Sequence, residues 1–114
     1  MRAIDLKAEL NALGIPFELI GFTAKLPPYP YGIYVDDITV RGADEVSPKW
    51  VIDHEITIEV YHRTPAGLMA ACETVENWIE GLPLDYQRRI LYIESEDHLL
   101  ASYTFNYTTK KRKG

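Results

Sequence analysis

The chain has 114 residues, 46% of them hydrophobic, and a formal net charge of −5, which suits one domain with one core and, with Cys72 as its single cysteine, excludes an intrachain disulfide or a cysteine-based zinc site. No run of about 18 apolar residues occurs, and Met-Arg-Ala-Ile-Asp puts charge where a signal peptide is apolar, so neither a membrane span nor a leader is expected and the chain is expected in the cytoplasm when made. Lys110, Lys111, Arg112 and Lys113 hold four of the 12 basic residues, leaving 8 against 17 acids, or −9, over residues 1–109, a body that repels nucleic acid and so disfavours a general DNA or RNA reader.

In chain order, Leu6, Leu10 and Leu13 make one apolar stripe and predict a first helix over residues 2–13, stopped by Gly14 and Pro16. Residues 17–22 read as a short extended piece. Pro27, Pro28 and Pro30 then fix φ and remove backbone donors, so the following stretch is an extended connector or a sheet edge. Residues 31–40 are rich in tyrosine and β-branched side chains, and residues 50–61 alternate more cleanly, with Ile52, His54, Ile56, Ile58 and Val60 on one face. Together they predict a β-hairpin whose loop is the acidic stretch 41–49. Thr64 is placed to cap a second helix with Pro65 in its first position, and Leu68, Cys72, Val75, Ile79 and Leu82 give its packing stripe before Gly81 and Pro83 end it. Two last strands are expected over 88–94 and 99–108, joined by Ser95-Glu96-Asp97-His98; Leu99, Ala101, Tyr103, Phe105 and Tyr107 share one face of the second. Residues 110–114 read as a basic, disordered tail on a domain of residues 1–109. The order of elements predicts an α+β fold, a mostly antiparallel four- to five-stranded sheet with two helices packed on one face.

Catalysis has little foothold. His54, His62 and His98 match no metal-ligand spacing, Asp36 and Asp37 point to opposite faces of a continuous strand, and Glu94 and Glu96 flank an exposed turn. There is no phosphate loop or nucleophile elbow. The expectation is a non-enzyme with no catalytic residue, metal or cofactor, and Cys72 as a buried hydrophobe. Tyr29, Tyr31 and Tyr34 gather beside the prolines, where they either fill the core and sheet edge, make a subunit contact, or stack on bases. The basic tail either aids solubility or reaches an acidic neighbour or DNA.

The ordered string Leu13-Gly14-Ile15-Pro16-Phe17, then residues 27–34, then Ile56-Thr57-Ile58-Glu59-Val60-Tyr61, then a helix and Tyr92-Ile93-Glu94-Ser95-Glu96 before a final aromatic strand, carries a resemblance over residues 10–107. It resembles the small tail-completion and head-tail joining proteins of long-tailed bacteriophages and prophages, similar to tail terminators. The resemblance implies a structural virion protein that assembles as a homo-oligomeric, hexameric ring at the head-proximal end of the tail. Its partners would be the tail tube protein and the head-tail connector, with DNA passing through unbound. The contact candidates are Pro27, Pro28, Tyr29, Pro30, Tyr31, Tyr34, Asp44 and Glu45, with Lys110, Lys111, Arg112 and Lys113 as electrostatic contacts. The alternative is a free-standing module that binds a protein or a single-stranded nucleic acid through its tyrosine-rich edge.

Overall fold

The computed structural model describes residues 4–20, 28–42, 49–94 and 97–112. The first helix, α1 (Leu6–Asn11), is shorter than the 2–13 stripe predicts. Asp5 caps it by accepting from the Ala8 amide at 3.2 Å. At its other end Asn11 turns its side chain onto the backbone of Phe17, accepting from the amide at 3.0 Å and donating to the carbonyl at 3.3 Å. That clip, with Gly14 at φ 87°, turns the chain straight into β1 (Phe17–Leu19).

β1 lies parallel to β2 (Tyr31–Gly42), with Phe17 opposite Gly32. The Phe17 ring occupies the space where a Cβ on residue 32 would stand, so a glycine is required there for β1 to dock. β2 pairs antiparallel with β3 (Lys49–His62) in the expected hairpin, and both strands run further than the tyrosine and β-branched runs suggest. α2 (Pro65–Glu80) follows, with the Thr64 hydroxyl accepting from the Gly67 amide at 3.1 Å and Pro65 at its start. It buries Leu68, Ala71, Cys72, Val75 and Ile79. The chain closes with β4 (Gln87–Ile93) and β5 (His98–Arg112).

The five strands lie in the order β1-β2-β3-β5-β4, antiparallel except for the β1–β2 pair. The α+β reading therefore holds, with one parallel pair. The disordered tail does not: Lys110, Lys111 and Arg112 continue β5 opposite Val51, Trp50 and Lys49. Sequence alternation fades there because the outer half of the strand is solvated on both faces, while the ladder to β3 goes on.

Both helices cover the same sheet face. Leu6 and Leu10 of α1 and the α2 stripe pack with Tyr34, Ile56, Ile58, Val60, Ala101, Tyr103, Phe105 and Tyr107 in one core cluster. Burying a side chain such as Ile56 or Ile58 completely contributes about 1.5–3 kcal/mol each. The helices reach only the half of the sheet nearest α2. Beyond residues 36, 54 and 107 the strands β2, β3 and β5 continue as a three-stranded arm, and the molecule measures 54 × 29 × 24 Å.

Candidate assembly surfaces

The arm continues the two faces of the sheet in different ways. On the helix side, the period of two carries the core face outward through Ile38, Val40 and Trp50, which are 56%, 58% and 39% exposed. The Trp50 ring lies across Gly42, filling the space a side chain there would take. On the helix-free side the same strands present Asp37, Thr39, Asp53, Glu55, Asn106 and Thr108 around a shallow depression of about 360 Å³. Asp37 stands directly opposite Glu55, an unfavourable like-charge pair that solvent has to screen. Arg41 holds Asp53 through two hydrogen bonds, the second at 3.1 Å, and Thr108 donates to the same carboxylate at 3.1 Å. Those hydrogen bonds keep the Asp53 carboxyl below its usual range, the Arg41 bond being the largest cause.

A bracket ties the arm to the core. His54, 9% exposed, stacks on Tyr107 with ring centroids 4.3 Å apart. Its Nδ1 lies 2.9 Å from Asp36 and its Nε2 lies 3.0 Å from the Thr109 hydroxyl. One imidazole thus joins β2, β3 and β5 where helical cover ends. The order carboxylate, imidazole, hydroxyl matches a hydrolase relay. His54 and Tyr107 also border the depression, but strand alternation turns their rings to the helix side, opposite the side chains of Asp37, Asp53 and Glu55. A buried histidine with both ring nitrogens engaged is a structural clamp here.

The tyrosine-rich segment is mostly interior. Tyr31 and Tyr34 are 4% and 9% exposed, so these two contact candidates serve the fold and offer no outward face for a partner or a base. Tyr31 stacks on Tyr61 at 4.9 Å on the helix-free side, and His98 closes the cluster from above Tyr61. His98, expected in an exposed turn, is the first residue of β5 and is buried at 3%. Tyr29 and Pro30 are half-buried; the Tyr29 hydroxyl lies 2.9 Å from His98 Nδ1, and the Arg63 guanidinium sits 5.3 Å from the Tyr29 ring centre. Only Pro28 of the described members of this segment is exposed. Pro27, Asp44, Glu45 and Lys113 lie outside the described residues. Lys110 and Lys111 are exposed on β5 near the tip of the arm.

A second polar cluster sits beneath α2. Glu76 accepts from the Tyr103 hydroxyl at 3.0 Å, from Arg88 at 3.1 and 3.2 Å, and from Tyr86 at 3.4 Å. Burial, with hydrogen bonds to Cys72 and Glu76, drives the Tyr103 phenol far above its ordinary range, and burial raises the Cys72 thiol too. A fully buried tyrosine under a helix, its hydroxyl already spoken for, is a packing element. Among the described residues no group of three histidine, cysteine or acidic side chains is placed to hold a metal ion, and no helix is long and apolar enough to cross a membrane.

The surfaces that sequence reasoning missed are the exposed apolar residues of the arm and of β4, where Ile90, Leu91 and Tyr92 are 44%, 39% and 56% exposed. The signal was present as apolar alternation at Ile38 and Val40 and as the unbroken apolar run of residues 90–93 in β4. What could not be read from it is where the helices stop. No protein-family model matches the sequence, and no curated protein is similar enough to it to count as a relative.

Proposed function

We propose that this chain is a structural subunit of a long-tailed phage or prophage virion, a ring-forming protein that completes the tail and joins it to the head connector. The observation that carries this reading is the uncovered continuation of the core face along the arm, where Ile38, Val40 and Trp50 stand exposed beyond the helices. A lone soluble domain gains nothing from projecting three strands past its helical layer with apolar side chains on them; a subunit that docks on others does. The helix-free face supports the same reading. Its middle, at Asp37, Glu55 and Glu59, is acidic, and a patch of that sign lets DNA pass without adhering, while Arg41, Lys49 and Lys110 make the arm end of the same face basic. The helices then face outward, the acidic side inward. The resemblance in motif order supplies the phage context.

The test uses tail tubes that lack their head-proximal end piece. Added protein should cap them with rings visible by electron microscopy and make them competent to join heads. Ile38→Lys with Val40→Lys should abolish capping while leaving the melting temperature within a few degrees. Protein that neither caps tubes nor binds connectors would overturn the reading.

A further inference from the structure

We infer that copies of this chain join head to tail through their sheet edges, β4 of one pairing antiparallel with residues 35–41 of β2 in the next. Two sheet edges are open among the described residues. β4 is the outermost strand on one side, and β2 is outermost on the other beyond Tyr34, where β1 stops pairing. An exposed edge strand is a template for another strand, and β4 keeps an unbroken register with no proline and carries an apolar run at residues 90–93 after the charges of Arg88 and Arg89.

The two edges fit in length, direction, chemistry and charge. β4 has 7 residues, matching residues 35–41, so the edges align with Ile90 opposite Ile38. Within one chain β2 and β4 run in opposite directions, so a rotated copy of the same polarity brings them together antiparallel. On the helix side this sets Ile90 against Ile38, Tyr92 against Asp36 and Arg88 against Val40. On the other side Arg89 lies diagonal to Asp37, within reach for a long side chain. β4 contributes Arg88 and Arg89 and no acid, while residues 35–41 of β2 contribute Asp36, Asp37 and Arg41; Arg88, Asp36 and Arg41 are held within the chain by Glu76, His54 and Asp53, so Arg89 with Asp37 is the charge pair the seam can use.

The register also decides between a ring and a filament, because a head-to-tail contact closes only if the copies do not climb. Ile38 is level with Tyr107 through His54, whereas Ile90 is level with Ala101. The offset of about six residues at ~3.3 Å each is about 20 Å, against a width of about 19 Å for four strand spacings of ~4.8 Å. Strands inclined by about 45° to the ring axis absorb that offset, at the upper end of the 35–45° seen in closed barrels. The contact therefore closes as a barrel-like ring.

This gives the proposed ring its seam, and the seam stands or falls without any phage component. Ile38→Cys and Ile90→Cys proteins are mixed at high concentration under mild oxidation, with the wild type as control for buried Cys72. A disulfide-linked heterodimer is expected in the mixture and in neither protein alone. Thr39→Cys with Arg89→Cys, opposite each other on the other face, serves if either first variant melts early. Absence of the mixed adduct with both pairs, or equal self-linking of Ile90→Cys alone, overturns the proposal. An adduct without tube capping would sink the phage reading and leave the seam intact.

Discussion

Replacing Tyr103 by phenylalanine removes one oxygen from the centre of the fold and little else. The ring is fully buried and its hydroxyl donates to Glu76 at 3.0 Å, so the change opens almost no cavity but deletes a hydrogen bond to a charged acceptor. Such bonds contribute about 1.5–3 kcal/mol. Glu76 keeps its two contacts from Arg88, which places the expected loss toward the lower end, about 1.5–2 kcal/mol. For a domain of this size that lowers the melting temperature by roughly 6–8 °C.

The cost of this substitution should also depend on pH, with a definite sign. The folded-state phenol is raised above its unfolded value of about 10, so its contribution is complete below that pH and shrinks as pH rises further. Unfolded wild type gains from ionising Tyr103 and the phenylalanine protein does not. The gap between the two should close by about 1.4 kcal/mol per pH unit above 10, and the variant should become the more stable near pH 11.5. Chemical denaturation followed from pH 7 to 12 measures both proteins, and other tyrosines cancel in the difference. A gap independent of pH, or a neutral-pH cost below about 0.5 kcal/mol, would refute the network as described.

Four further substitutions probe the rest of the molecule. Gly32→Ala drives a methyl group into the Phe17 ring and should cost about 1–3 kcal/mol, with amide exchange rising first in β1. His54→Ala leaves the partly buried Asp36 carboxylate and the Thr109 hydroxyl without their common partner; it should cost about 2–4 kcal/mol, more than Thr109→Val at about 1 kcal/mol, as read by urea denaturation. The Arg41–Asp53 pair strengthens above the ordinary carboxylate range and is lost as pH falls through the lowered Asp53 value. Amide exchange in the arm of wild type should therefore accelerate in acid, whereas Asp53→Asn should show the fast rate already at neutral pH.

Most of the fold was legible where one face of an element is dry. The α2 stripe and the alternation through Ile56 to Val60 and Ala101 to Tyr107 record burial directly, because each apolar residue faces the same layer. β1 was harder. Its parallel partner depends on Gly32 admitting the Phe17 ring, a contact between segments that local pattern does not encode. The tyrosines stayed open between packing, subunit contact and base stacking for a similar reason: Tyr31 points away from the helices, and only the contacts with Tyr29 and Tyr61 show that it is interior. The arm lay hidden in Lys110 to Arg112, whose charges look like a solvated tail although their backbone completes the ladder with Lys49 to Val51.

The position of β5 has a consequence for how the protein is made. Its 15 residues come after every other element in chain order, yet the strand sits between β3 and β4 and touches both. Until it emerges from the ribosome, the hairpin and β4 have no ladder to join them, and β3 shows a bare edge. Folding must wait for translation to pass the last strand, and a stalled or clipped product would display an open, apolar edge to its neighbours.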